Sequence, residues 1–222
     1  MLIVRDFSNR FQEMSGMPIN SKNGKDMLKR AGIDTNSKQY QAVMSQMAKS
    51  GHGGVGYTTV SAIKNRMRRF DKDGDWIDPV TGLAGLLVTD KNRASKNRII
   101  SIPESSRDEM FENAKREFLQ ENGVHNGDTT NRSQVYTNLY RKTEKNDRLA
   151  AGHTLSEYER QYWQTFVDAV KKVNPKWEPG KAIPSGALDG ITRESIDSTL
   201  VQSGSELVKR SSVSGSSLDI QI

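Results

Sequence analysis

Apolar side chains recur along most of this chain at the three- and four-residue steps that place them on one face of a helix. Tyr40, Val43, Met44 and Met47 follow that rhythm within "TNSKQYQAVMSQMAKSG". A shorter helix precedes it in "NGKDMLKRAGI", with Met27, Leu28 and Ala31 on one side and Gly32 as its stop. "TTVSAIKNRMRRF" predicts a third helix, capped by Thr58 or Thr59, with Val60, Ile63, Met67 and Phe70 as a narrow apolar stripe. The clearest helix is "PESSRDEMFENAKREFLQENG". Pro103 and Ser105 mark its start, Gly123 ends it, and Met110, Phe111, Ala114, Phe118 and Leu119 form its buried face. A fifth helix over Asn131–Lys142 buries Val135 and Leu139. In the sixth, "HTLSEYERQYWQTFVDAVKKVNP", Thr154 and Glu157 form a Thr-x-x-Glu capping box, Tyr158, Tyr162, Phe166 and Val170 recur every four residues, and Pro175 closes the run. A weaker final helix is expected in "TRESIDSTLVQSGSELVKR".

Alternation favours strands in two places only. "LAGLLVTD" and "KNRIISIP" flank a polar turn and are expected to pair as a hairpin, which needs helices packed on it to be stable. The expected fold class is therefore mainly α (α+β), a helical body with one small β-hairpin. The glycine-rich stretch Gly51–Gly56 suggests a break. It divides the chain into an N-terminal arm of two short helices over residues 1–56, a body over 57–210 and a serine-rich tail over 211–222.

Composition narrows the classes of function. At 222 residues the chain is long enough to bury a core, yet only 34% of it is hydrophobic, and the mean hydropathy is −0.72. No apolar run approaches the roughly 18 residues that would cross a bilayer. The start, "MLIVRDFSNRF", breaks its apolar run at Arg5 and Asp6, too early for a secretory signal. The expected location is the cytoplasm, or the exterior by a leaderless route. The absence of cysteine excludes disulfides, thiol nucleophiles and cysteine-ligated metals. Net charge is +6 and unevenly spread, with 17 Lys and Arg against 9 Asp and Glu in residues 1–100 and 16 against 18 in the remainder. A basic half admits an anionic partner, although no long unbroken basic block is present.

One short stretch carries the densest candidate chemistry. "DKDGDWIDP" puts Asp71, Asp73 and Asp75 at positions 1, 3 and 5 of an EF-hand-type calcium loop, directly after a helix. The match then fails. Trp76 stands where the loop needs glycine, and neither Thr81 nor Gly82 supplies the bidentate carboxylate at its end. Over residues 71–78 the stretch resembles the first half of such a loop, so Asp71, Asp73, Asp75 and Asp78 are candidate ligands for a weakly held divalent cation, calcium. A polar turn with its carboxylates balanced by Arg68 and Arg69 is the alternative reading.

Lys64, Arg66, Arg68 and Arg69 in "KNRMRRF" are candidate nucleic-acid contacts, without any accompanying helix-turn-helix, zinc-finger or RNA-binding signature. "GHGGVG" fits a Gly-x-Gly-x-x-Gly spacing, but a helix precedes it where a dinucleotide fold needs a strand. His52, His125 and His153 pair with no metal ligand at helical spacing. His125 beside Asp128, Thr129 and Thr130 offers a thin hydrolase hypothesis.

The stretches "YTTVSAIKNRMRRFDKDGDWIDPVTGLAG", "IISIPESSRDEMFENAKREFLQENGVHNGDTTNRSQVY", "DRLAAGHTLSEYERQYW" and "NPKWEPG" resemble an uncharacterised protein family of Gram-positive bacteria, a domain of unknown function. The resemblance covers about residues 35–210 after a variable arm, and it implies a bacterial protein made as one unit across the body. It brings no activity, cofactor or catalytic residue. The expectation is a non-enzymatic interaction protein with an unidentified protein partner, with nucleic-acid binding and hydrolysis as alternatives.

Overall fold

The computed structural model describes residues 22–49, 59–125 and 130–210. The chain divides into two compact units, Met1–Leu87 and Val88–Ile222. The expected linker Gly51–Gly56, the segment 1–20, the tail 211–222, His52, Asp128 and Thr129 lie outside the described residues. Among those residues the protein is mainly α-helical with one small antiparallel hairpin. No helix among them is long and apolar enough to cross a membrane.

In the first unit, α1 (Lys22–Arg30), α2 (Lys38–Lys49) and α3 (Val60–Met67) surround the buried side chains Leu28, Ile33, Tyr40, Val60 and Ile63. α3 thus shares its core with the two helices that the sequence reading assigned to the arm. Gly32 stops α1 by donating its N–H to Lys29 while Ile33 donates to Leu28, and Ile33 and Leu28 meet in the same core. Thr59 caps α3 by accepting from the Ala62 N–H at 3.1 Å.

A tight turn follows α3. Phe70 and Trp76 pair across it and pack with Val43 and Met47 of α2. Gly74 sits at the tip with φ +83°, and a Cβ placed there would lie 2.8 Å from the Lys38 carbonyl oxygen. Glycine is required twice over, by its backbone conformation and by the close approach. Gln39 fixes the same contact by donating to the Phe70 carbonyl at 2.8 Å.

In the second unit, α4 (Glu104–Gln120), α5 (Thr130–Lys142) and α6 (Arg148–Val173) pack together, each against the other two. The core holds Met110, Phe111, Phe118, Leu139, Leu155, Tyr162, Phe166 and Trp177. Phe118 is its hub, with ring centroids of Trp163, Phe166 and Trp177 at 5.1, 5.5 and 5.9 Å. Asn122, at φ +50°, and Gly123 close α4. The indole of Trp177 fills the space over Gly123 where a Cβ would stand, at 2.5 Å from it. This pins the connector after α6, and Gly180 adds a hydrogen bond to the Asn122 carbonyl at 2.8 Å.

Three sequence expectations are corrected here. The hairpin does not lie at "LAGLLVTD"/"KNRIISIP". Residues 89–97 form successive turns in which the Asn92 side chain takes the Thr89 N–H at 2.7 Å. Ile100 and Ile102 do alternate inward, but the Ile100 N–H is satisfied by Thr154 Oγ1 at 3.0 Å, so no partner strand is needed. Instead the hairpin is β1 (Leu200–Ser203) and β2 (Glu206–Lys209), where a continuing helix was expected. The helix α7 stops after Arg193–Asp197. Leu200-Val201 and Leu207-Val208 then flank a two-residue turn led by Gly204 at φ +61°, which suits the right-handed twist of paired strands. Finally, Thr154 does not cap α6. The helix begins at Arg148, through the strong helix formers Leu149, Ala150 and Ala151. Thr154 is buried inside it with its hydroxyl on the Ala150 carbonyl.

Glu157, freed from capping, holds the hairpin. It accepts from the Leu207 N–H at 3.0 Å, while Gln161 and Arg160 donate to the Leu207 carbonyl at 2.6 and 3.0 Å. Burial pushes the Glu157 carboxyl up, but hydrogen bonds from Arg160 and Leu207 outweigh it and hold the group below its ordinary value.

Two outcomes check these contacts. Gly74→Ala should destabilise the first unit by about 1–3 kcal/mol, read by denaturant unfolding. Glu157→Ala should strip hydrogen-exchange protection from the Leu207 amide and cost about 1–3 kcal/mol, because a buried N–H loses its acceptor. Unchanged protection would show that the carboxylate does not hold the strand.

Candidate functional site

The second unit carries an open cleft of about 840 Å³ along the C-terminal half of α6. Thr165, Asp168, Ala169, Lys172 and Val173 follow one another on that helix at three- and four-residue steps and make one wall. Ala187 and Ile191 of the connector, Ile196 of α7 and the end of β2 make the other. The apolar part of the lining comes from Ala169, Val173, Ala187, Ile191 and Ile196. Val173 stays 59% exposed at its lip. The rim is cationic, with Lys172, Lys209 and Arg210.

Among the described residues Asp168 is the one carboxylate lining the cleft, and it is engaged by Lys209 at 3.0 Å and Gln164 at 2.8 Å. Burial raises its affinity for a proton, yet those two hydrogen bonds and the charges of Lys209 and Lys172 hold its carboxyl below the usual range. The cleft therefore offers apolar surface and positive charge together, suited to an apolar segment that carries a carboxylate.

The aspartate loop is held by its own carboxylates. Asp71 Oδ1 accepts the backbone N–H groups of Asp73 and Asp75, each at 2.9 Å. Asp78 Oδ1 accepts from Val80 and Thr81 N–H at 2.9 and 2.7 Å, and from the Thr81 hydroxyl. The Thr81 N–H is foremost among the bonds that keep the Asp78 carboxyl below its ordinary range. The four aspartates thus fall in two consecutive turns, one closed by Asp71 and one by Asp78, with Asp73 at the exposed side of the first. Among the described residues no three His, Asp or Glu side chains form a group that could hold a metal ion.

Lys64, Arg68 and Arg69 are exposed and Arg66 is half-buried. Lys64 and Arg66 stand in the last turn of α3, where cations suit the negative end of the helix. From Lys64 to Asp78 the chain carries five Lys and Arg against four Asp, so the basic run merges into a stretch of nearly balanced charge.

The two described histidines, His125 and His153, both have structural partners. His153 Nε2 lies 2.6 Å from the Ser205 carbonyl of the hairpin turn. His125 Nε2 receives Arg132 Nη1 at 2.8 Å, with its ring against Trp163. Arg132 is buried and bridges Glu117 at 3.0 Å and Glu159 at 2.6 Å, and Tyr136 donates to Glu159. Burial first, and the Glu159 charge second, push the Tyr136 phenol well above its ordinary value, so it stays a donor. Sequence reading missed this network, and equally the set formed by Asp197 with Arg107, Arg193 and Tyr162. It also missed the cleft. The only advance signal for the cleft was the run Thr165, Ala169 and Val173, small or apolar residues flanking the buried Phe166 and Val170.

Asp71→Ala should lower the unfolding midpoint of the first unit even in EDTA, by about 1–2 kcal/mol, since two backbone N–H groups lose one acceptor. Calorimetry of the variant in EDTA checks it, and Asp71→Asn should recover most of the loss.

No curated protein and no solved structure matches the chain. Residues 33–222 match the family described as Domain of unknown function (DUF3879). The match spans the described parts of both units from Ile33 onward, and the chain belongs to that family.

Proposed function

We propose that the protein is a non-enzymatic interaction protein, and that the cleft beside α6 receives an extended partner segment with apolar residues and a carboxylate. The observation that carries this reading is the pairing of an apolar lining, Ala169, Val173, Ala187, Ile191 and Ile196, with the rim cations Lys172 and Arg210. Such a site desolvates apolar side chains and orients the segment by charge. Its position on α6 supports the same reading, because that wall belongs to the best-packed helix of the unit and is fixed before a partner arrives.

Display selection tests it. Random heptapeptides selected on the immobilised full chain should converge on spaced apolar residues with Asp or Glu among them. Binding of the selected peptides should fall at least tenfold in Lys172→Glu/Val173→Glu, a variant whose two positions are exposed and whose unfolding midpoint should stay unchanged. Selected peptides that bind the variant equally well would remove the cleft from consideration.

A further inference from the structure

Asp168 lines the cleft between Thr165 and Lys172, one helical turn before Lys172 on α6. Its Oδ2 accepts from Lys209 Nζ at 3.0 Å and its Oδ1 from Gln164 at 2.8 Å. The other charged residues described in the lining, Lys172, Lys209 and Arg210, are all cations. A carboxylate inside a site that takes up a carboxylate works against binding, because like charges in one groove repel. Holding the hairpin does not require it. Leu207 is already tied to α6 by Glu157, Gln161 and Arg160, and the Arg210 N–H donates to the Thr199 carbonyl at 2.9 Å. The side chains of Asp168 and Lys209 are 44% and 33% exposed, and an ion pair that water reaches this well adds little to stability. The charge of Asp168 still acts on whatever lies in the cleft, where the apolar side chains of the lining screen it less than open solvent does.

Resting on the reading of the cleft given above, we infer that Asp168 determines specificity: it limits the partner segment to a single carboxylate and sets that carboxylate toward Lys172 and Arg210. The site selects by attraction and rejection together. Beside Asp168 the lining presents an anion already paired with a cation, so a second acidic side chain meets repulsion there without a matching gain. One helical turn on, Lys172 is exposed, and a single Asp or Glu is stabilised. Apolar and uncharged polar residues pass Asp168 without penalty, and the apolar lining around Ala169 and Val173 receives them. The partner is therefore an apolar segment with one acidic residue, and a strongly acidic segment is excluded.

Display selection is run in parallel on the full chain as wild type, Asp168→Asn and Asp168→Glu. Wild type and Asp168→Glu should select heptapeptides with a single acidic residue, and Asp168→Asn should select peptides with a pair of them. One peptide selected on the wild type is then synthesised with a second Asp at each uncharged position in turn, and each version is titrated by fluorescence anisotropy. At one position or more, the double-acid peptide should gain on its single-acid parent by roughly fivefold in Kd when Asp168→Asn replaces the wild type. That gain should shrink as salt rises from about 50 mM to about 500 mM. A hairpin merely loosened by the substitution would weaken both peptides alike and leave their ratio unchanged. An unchanged ratio at every position, with equally acidic selections on wild type and Asp168→Asn, would overturn the role of Asp168 and leave the cleft standing as a binding site. Selected peptides that ignore Lys172→Glu/Val173→Glu would instead remove the cleft, and the role of Asp168 with it.

Discussion

Tyr162, Phe166 and Val170 lie one helical turn apart on α6, and none of their surface reaches water. Each such burial stabilises the fold by roughly 1.5–3 kcal/mol, and the rings of Phe111 and Phe118 pack against Tyr162 and Phe166. This one stripe fixes the rotation of a 26-residue helix about its axis. Everything else α6 does follows from that rotation. With the aromatic face turned inward, Glu157 and Gln161 come up against β2, and Thr165, Ala169 and Val173 come up as the wall of the cleft.

The charged residues divide between holding the frame and being left over. Asp197 accepts from Arg107 at 2.5 Å, from Arg193 at 2.8 Å and from the Tyr162 hydroxyl at 3.0 Å, joining α4, α6 and α7. Burial, reinforced by the Asp197 charge, pushes the Tyr162 phenol far above its ordinary range, so it remains a donor throughout. Arg132 joins α4, α5 and α6 through Glu117 and Glu159 in the same way. Breaking such a pair from one side leaves an uncompensated buried charge, which makes these networks register-setting contacts between helices. At the rim of the cleft Lys209 is held by Asp168, while Lys172 and Arg210 are exposed.

The aspartate loop uses single carboxylate oxygens to gather several backbone donors. An aspartate that opens a turn folds its carboxylate back over backbone N–H groups further along, which is why turns favour Asp there. Here Asp71 does this with Asp73 and Asp75, and the turn is then pressed by Gly74 onto the Lys38 carbonyl. Asp78 repeats the device in the next turn.

By itself the sequence determined the elements whose physics is local. The helices around Val43, Phe111, Val135 and Phe166 follow from apolar spacing, and their stops at Gly32 and Gly123 follow from backbone freedom there. The mainly helical class with one hairpin was legible for the same reason. The hairpin's place was not. "LVQSGSELV" carries a good turn, but its stability comes from Glu157 and Gln161, some fifty residues away in the chain. Ile100 looked equally strand-like until Thr154 satisfied its N–H. The cleft, the Asp197 and Arg132 networks and the partners of His125 and His153 were likewise decided only by tertiary structure. They depend on which helix faces meet, and spacing along one element carries no information about its neighbour.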